Sequence, residues 1–387
     1  MQYQLTEEQE LIRETIRRLA VEKIEPGAAR RDEEGEFDWE VVKILAENGI
    51  FGIDIPAQYG GSGMGLLAVC IACEEISRVC GSTGTLHIAQ ELGLMPILLA
   101  ANEEQKKKYL PRLASGEDIC AFGLTEAVAG SDVASLKTRA VKKDGEYILN
   151  GTKTFITNGG VANVITVYAI TDPEAKTTKS ASMFVVEKDS PGFSVGKHEE
   201  KMGIRASDTS ELIFEDCRIP EKNLLGEEGS GFAVVMKTLD FTRTTVGAQA
   251  LGIARGALDY AVNYAKERIA FAKPIASFQG ISFKLADMAI KVEAARQLVY
   301  KSASLLQELP KDMSRLPSEI IKISSIAKTF ASDSAMEVTT EAVQILGGYG
   351  YIKEYPVERM MRDAKITQIY EGANEIQRMV IASTLLG

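Results

Sequence analysis

Apolar residues recur at helical spacing through the first third of the chain. Thr6 and Gln9 have the spacing of a capping box, and Leu11, Ile12, Ile16, Leu19 and Ala20 follow at intervals of three and four. Trp39 to Glu47 reads as a second helix, stopped at Asn48-Gly49. After the flexible Tyr59-Gly60-Gly61-Ser62-Gly63, a long helix spans about Leu66 to Arg78. Gly81-Ser82-Thr83-Gly84 interrupts the pattern, and a further apolar helix runs through Leu94. Between about 121 and 228 the period drops to two. Asp144-Gly145 and Asn150-Gly151 read as hairpin turns, Val164 to Ile170 and Met183 to Val186 are apolar runs of strand length, and alternation returns at Glu211-Leu212-Ile213-Phe214. From Gly231 long helices resume, broken at Lys273-Pro274 and around Leu309-Pro310. The pattern predicts an α+β chain in three parts: an all-α domain over 1–120, an antiparallel β domain over 121–228 and a helical bundle over 229–387.

Composition narrows the function classes. At 387 residues the chain is long enough for two or three domains, and 45% hydrophobic residues is ordinary for a globular protein. A net charge of −10 argues against a nucleic-acid partner, which needs a basic surface. It leaves room for a small phosphorylated ligand held by a few local arginines and lysines. The charged N-terminal stretch is not expected to be a signal peptide, and no apolar run has the length of a membrane span. Five cysteines at irregular spacing fit a reducing compartment, hence a cytoplasmic location. Cys70 and Cys73 form a C-x-x-C with no second pair, and small buried residues on one helix face are the expected reading. His87 and His198 are the only histidines, so a histidine-based metal or triad site has almost no material, and no metal is expected.

The chemistry concentrates in Gly347 to Arg378, GGYGYIKEYPVERMMRDAKITQIYEGANEIQR. There Glu371 stands between Tyr370 and Gly372, the glycine permitting close backbone approach. Periodicity alone makes Glu371 a solvated helix-end carboxylate. The stretch resembles the C-terminal signature of the flavin-dependent acyl-CoA dehydrogenases, and other segments match the same family in the same order along essentially the whole chain. The resemblance implies a helical domain, a β domain and a four-helix bundle, with FAD as cofactor.

By the same resemblance, Phe122-Gly123-Leu124-Thr125-Glu126-Ala127-Val128-Ala129-Gly130-Ser131-Asp132 is the first flavin motif, in which Phe122, Leu124, Thr125, Gly130 and Ser131 contact the cofactor and Ser131 also meets substrate. Ala127 replaces the usual proline. Gly151-Thr152-Lys153-Thr154-Phe155-Ile156-Thr157-Asn158-Gly159 is the second: Phe155 covers the ring, Ile156 lies beside it and Thr157 donates to it. An apolar cover and one aimed donor suit hydride chemistry. Asp240 and Arg243 lie along the CoA moiety, as does Gly372. Arg268, Phe271 and Gln279, with Gln344, Gly347 and Gly348, resemble the two halves of a segment reaching the flavin of a neighbouring subunit; alanines flank Phe271 where the family has a polar residue and glycine. Ala373, in place of a threonine, and Asn374 complete the cofactor set. A homotetramer, built as a dimer of dimers, and an electron-transfer flavoprotein as electron acceptor are implied.

The implied reaction is α,β-dehydrogenation of a short-chain acyl-CoA, with the α-proton passing to Glu371. Thr242 stands where isovaleryl-type relatives carry their base, and it is no carboxylate. Glu91 is out of pattern in the helix that lines the acyl pocket in this family. Facing the pocket, it would be a second carboxylate suited to cyclohexane- or cyclohexene-carboxyl-CoA; pointing away, it belongs to a salt bridge or to solvent. A non-catalytic helical scaffold is the alternative of another class, and an enoyl-CoA reductase is the same site run in reverse.

Overall fold

The computed structural model describes residues 5–310, 313 and 316–387. Its first part is helical: α1 Glu7–Leu19, α2 Ala28–Glu34, α3 Trp39–Glu47, α4 Gly65–Ser77, α5 Gly81–Ala100 and α6 Glu103–Ala114. The Thr6–Gln9 capping box forms, and Asp38 caps α3 by accepting from the Glu40 and Val41 N–H groups. The glycine-rich stretch at 81–84 differs from expectation. It is the first turn of α5, because the added Cβ of an alanine at Gly84 would lie 2.0 Å from Ser77 Oγ; the small residue serves the packing of α5 on α4.

The middle part is a sheet of β1 Cys120–Gly123, β2 Arg139–Lys143, β3 Glu146–Thr157, β4 Val164–Ile170, β5 Ala181–Glu187, β6 Phe193–His198, β7 Thr209–Pro220 and β8 Leu224–Leu225. The strand order is β6-β7-β3-β2-β4-β5-β8, with β1 joined to β4. Asp144 and Gly145 make the β2–β3 hairpin, both at positive φ (51° and 81°) as a type I′ turn requires. Asn150-Gly151 is not a hairpin. It is a register shift inside β3, where the Asn150 side chain bonds Asp216 across the sheet. Pairing is antiparallel except that β4 runs parallel to β1 and, at a single residue pair, to β2. Tyr147, Leu149, Ile165, Val167, Phe184, Phe214 and Ile219 form a core of the sheet's own, apart from the main one that runs through the helices.

The last part is built on α7 Gly231–Glu267, α8 Gln279–Gln307 and α9 Ser318–Leu346. A two-stranded hairpin, β9 Ile269–Ala270 and β10 Lys273–Pro274, joins α7 to α8. The fourth position of the bundle is shared by α10 Val357–Ile366 and α11 Asn374–Leu386, both packed on α9. From the first part, α4 packs on α7 and α8, and α5 on α7. Gly252 and Gly256 permit this, since a Cβ there would lie 2.4 Å and 2.0 Å from the Glu74 and Arg78 carbonyl oxygens. The link between α10 and α11 therefore lies against α9, with α4, α5 and α7 close by, and it carries Glu371. Among the described residues no helix is long and apolar enough to cross a membrane.

Candidate active site

Glu371 is held in a left-handed conformation, φ 51°, and Gly372 follows at φ 93°. Such a φ is costly for a residue with a side chain, so neighbouring contacts must hold it. On the N-terminal side, the Tyr370 hydroxyl donates to Gln249 Oε1 on α7, whose amide donates to Thr85 Oγ1 on α5 at 2.7 Å. On the C-terminal side, the Gly372 carbonyl accepts from Lys328 Nζ on α9 at 2.8 Å and from Gln377 Nε2 at 3.2 Å. A side chain at Gly372 would bring its Cβ within 2.4 Å of Gln377 Nε2. The N–H groups of Glu371, Gly372 and Ala373 donate to no acceptor among the described residues. Successive N–H groups in a left-handed turn make a concave donor site for a developing negative charge.

The carboxyl itself is the opposite of a solvated helix end. Its Oε2 is buried without a hydrogen-bond partner, although the residue as a whole is half-buried. Burial pushes the pKa up to about 7, while the Thr242 hydroxyl and the charges of Lys328 and Arg243 pull it back down. The Thr242 hydroxyl is near enough to be felt yet closes no hydrogen bond by distance and angle. A carboxyl titrating near neutrality is matched to general-base work.

Arg243 and Asp240, expected along the CoA moiety, pair with each other on α7. Arg243 is buried and its guanidinium is engaged within the chain: Nε with the Leu239 carbonyl, Nη1 with Ser325 on α9, and Nη2 with Asp240 at 2.8 Å. A buried guanidinium keeps its charge only with such partners, and here that charge falls on Glu371. Asn374 is also engaged within the chain. Its Oδ1 accepts from Lys328 and Ser332, its Nδ2 donates to Asp333, and its N–H donates to the Gln368 carbonyl, so it clamps the turn to α9.

Glu91 is 1% exposed, which excludes the solvent alternative. Its charge is felt at Cys70 and Cys73 on α4, and Cys73 feels Glu371 as well. Burial first, then these carboxylates, pushes the Cys73 thiol up to about 12, so the C-x-x-C is inert core. His87, one helical turn before Glu91, is wholly buried and its pKa is lowered to about 4, which keeps it neutral.

The two flavin-motif stretches meet through residues that sequence reasoning did not single out. Lys153 and Glu126 form a buried ion pair at 2.9 Å. Lys153 also donates to the Leu124 carbonyl, and Glu126 accepts the N–H groups of Lys137 and Thr138. Thr154 N–H donates to the Thr125 carbonyl at 2.8 Å. A lysine at an inward-facing position deep inside β3, far from either strand end, was the available signal. Phe155 projects from this junction 62% exposed at φ 58°, a strained conformation for an aromatic residue. Thr125 and Thr157 are half-buried beside it in sequence, and Gly130 and Ser131 are exposed. Phe122 and Leu124 are buried in the main core and Ile156 in the sheet's core, so at these three positions the backbone is what remains for a ligand. An exposed strained aromatic, half-buried hydroxyls and the partnerless buried Thr154 Oγ1 and Asn158 Oδ1 fit a planar, polar-rimmed cofactor such as FAD.

The remaining cofactor candidates lie elsewhere. Arg268, Gly347 and Gly348 line a pocket of about 430 Å³ with Tyr264, Ile345 and Tyr349, and the Arg268 guanidinium sits 5.3 Å over the Tyr349 ring. Gln344 and Gln279 are exposed, and Phe271 is 90% exposed at the hairpin tip, φ 51°. Along α7, Arg268 is about 37 Å from Arg243 at 1.5 Å per residue.

Acyl-CoA dehydrogenase family models match the chain in order: the N-terminal domain over residues 6–117, the middle domain over 121–217 and the C-terminal domain over 229–386. The chain belongs to the acyl-CoA dehydrogenase family. A short-chain-specific acyl-CoA dehydrogenase of Clostridium acetobutylicum is 48% identical over 387 residues, covering 100% of both chains. A cyclohex-1-ene-1-carbonyl-CoA dehydrogenase of Geobacter metallireducens is 49% identical over 384 residues, covering 99% of both. Among solved structures, a chain of "Electron transferring flavoprotein of Acidaminococcus fermentans: Towards a mechanism of flavin-based electron bifurcation" superposes with a TM-score of 0.96 at 48% identity, covering 100% of both chains. A Bacillus anthracis acyl-CoA dehydrogenase complexed with FAD gives 0.92 at 39% identity, covering 99% of this chain and 67% of that one. The protein is an FAD-dependent oxidoreductase acting on acyl-CoA thioesters.

Proposed function

We propose that the chain α,β-dehydrogenates a short-chain linear acyl-CoA to the trans-2-enoyl-CoA with Glu371 as the base. The observation that carries this is a buried carboxyl titrating near neutrality beside unused N–H groups. The N–H of Glu371 holds the thioester oxygen and so lowers the cost of enolate-like charge. Glu371 takes the α-proton, the β-hydrogen leaves with its electron pair, and the Cα–Cβ double bond forms. FAD, when bound, supplies the acceptor for that hydride. Phe155 shields the reacting face from water, and Arg243 and Lys328 keep the base ionisable despite its burial.

The short-chain assignment draws on the Clostridium relative. A second reading, oxidation of an alicyclic acyl-CoA, has its own observation: Glu91 is a buried carboxylate whose charge reaches the same thiol as that of Glu371, and the Geobacter relative is named for such a substrate. The separation of Arg268 from Arg243 along α7 supports a tetramer in which a neighbouring copy contributes the Arg268–Gly347 pocket to the flavin. An electron-transfer flavoprotein as acceptor accords with the Acidaminococcus structure. Five free buried cysteines accord with the cytoplasm.

The test is the visible spectrum of the purified protein, followed without oxygen as butyryl-CoA, cyclohexane-carboxyl-CoA and cyclohexene-carboxyl-CoA are added separately. Flavin bleaching by butyryl-CoA, abolished in Glu371→Gln, is the expected result. Faster bleaching by an alicyclic thioester would transfer the assignment to the second reading, and bleaching that survives Glu371→Gln would remove the base.

A further inference from the structure

Lys328 is wholly buried in α9, yet it carries a cation that nothing in the family reaction consumes. Its ammonium has two acceptors, both in the turn of the base: the Gly372 carbonyl and Asn374 Oδ1, each at 2.8 Å. Asn374 is in turn fixed by Ser332 and Asp333, one turn further along α9. A neutral donor would satisfy a carbonyl and an amide oxygen equally well and would avoid the desolvation of a buried charge. The charge therefore needs a reason, and among the described residues whose charges reach Lys328, Glu371 is the one with a carboxyl oxygen buried without a hydrogen-bond partner.

We propose that Lys328 is a positioning residue for Glu371: it pins the strained turn through the Gly372 carbonyl and holds the base ionisable by its charge. This rests on Glu371 being the base. The two functions come from one atom. Pulling on the carbonyl of residue 372 fixes the peptide that follows Glu371 and so the direction in which its carboxyl is presented. The cation beneath lowers the cost of ionising that carboxyl in a buried site. The groups facing Lys328 are Glu371, Asp333 and Glu375, which favour its charge, and Arg243 on α7, which opposes it. Burial outweighs them and lowers its pKa to about 8. Glu371 in turn faces Lys328 from α9, Thr242 and Arg243 from α7, and, in the opposite sense, Cys73 of α4 and its neighbour Tyr370, both of which feel its negative charge. Each charge thus favours the other: Glu371 raises the pKa of Lys328 and Lys328 lowers that of Glu371, both against burial.

The experiment compares wild type, Lys328→Met, Lys328→Gln and Glu371→Gln as flavin-loaded enzymes. Ionisation of Glu371 is read directly as the protonated-carboxyl infrared band that titrates in wild type and is missing from Glu371→Gln. The rate with butyryl-CoA is read across pH. Lys328→Met should move the infrared midpoint and the acid limb of kcat/KM upward together by about one pH unit or more. Its rate should stay at least about fivefold below wild type even above the new midpoint, because the turn is no longer pinned. Lys328→Gln keeps a donor without the charge. It should show the same upward shift with a smaller loss of rate on the plateau. Flavin content and KM should change little in either. An unshifted midpoint in both variants, whatever their melting temperatures, would overturn the proposal. Should Lys328→Met fail to fold, Lys328→Gln decides alone. An active Glu371→Gln would bring down the assignment of the base, while the infrared midpoints would still report whether Lys328 governs that carboxyl.

Discussion

Lys153 Nζ lies 2.9 Å from Glu126 Oε1 with both side chains at least nine-tenths buried, and this pair helps tie together the two stretches expected to meet the flavin. Glu126 is further held by two backbone N–H groups and Lys153 by the Leu124 carbonyl, so each charge is saturated by fixed partners. Glu126 stays ionised: burial opposes its charge, but Lys153 and the hydrogen bonds outweigh it and hold the pKa below the usual carboxylate value.

Removing one member leaves the other buried and uncompensated, which costs about 3–5 kcal/mol. Lys153→Met should lower stability by that order and release flavin, since Thr125 and Phe155 lose their common anchor. Chemical denaturation followed by tyrosine fluorescence, and the ratio of flavin to protein absorbance after gel filtration, measure the two effects. A variant of unchanged stability that kept its flavin would show that the pair does not organise the junction.

Glu371 makes opposite predictions for activity and stability. Its pKa rises from 4.5 to about 7 on folding, so the folded chain retains this proton to higher pH than the unfolded one. The stabilising contribution is complete below about pH 4.5 and is lost as pH rises through 7. With Glu371 as the proposed base, kcat/KM should rise through the same interval. Glu371→Gln should abolish about 10²–10⁴-fold of the rate. It should also raise the melting temperature relative to wild type at pH 8 while leaving it unchanged near pH 4, with a gain on the order of 1–3 kcal/mol. Paired thermal scans at the two pH values check the sign.

Glu91→Gln separates the two substrate readings. If the carboxylate serves an alicyclic substrate, the substitution should lower the rate with cyclohexene-carboxyl-CoA at least about tenfold while sparing butyryl-CoA. Equal effects on both thioesters would make Glu91 a packing residue of α5. The readout is the ratio of the two rates, which cancels any general loss of folded enzyme.

Much of this arrangement was legible in the sequence. Thr6–Gln9 and Asp144–Gly145 announced their elements because capping and type I′ turns are local and depend on two or three residues. Gly81 to Gly84 and Asn150-Gly151 misled for the complementary reason: their glycines answer a distant partner, Ser77 on α4 for Gly84 and Thr138 on the neighbouring β2 side for Gly151. The site divides in the same way. Glu371 was named as the base through the residues adjoining it. Lys328 stands 43 positions earlier, inside a helix whose apolar periodicity absorbs it, and only the fold brings it under the turn. The bracing of the turn by Asn374 was hidden for the same reason: its partners Lys328, Ser332 and Asp333 lie more than 40 positions earlier.

Helix α7 imposes a mechanical tolerance on the site. It carries Thr242 and Arg243 beside Glu371, and Arg268, which caps its C-terminus, is about 37 Å away. Acting as a stiff lever of that length, it converts a tilt of about one degree at the Arg268 end into a displacement of about 0.6 Å at Arg243, comparable with the ~0.5 Å within which reacting groups must be held. The close docking of α4 against Gly252 and Gly256 grips the lever near its middle. Disturbances arriving at the far end are thereby damped before they reach the carboxyl.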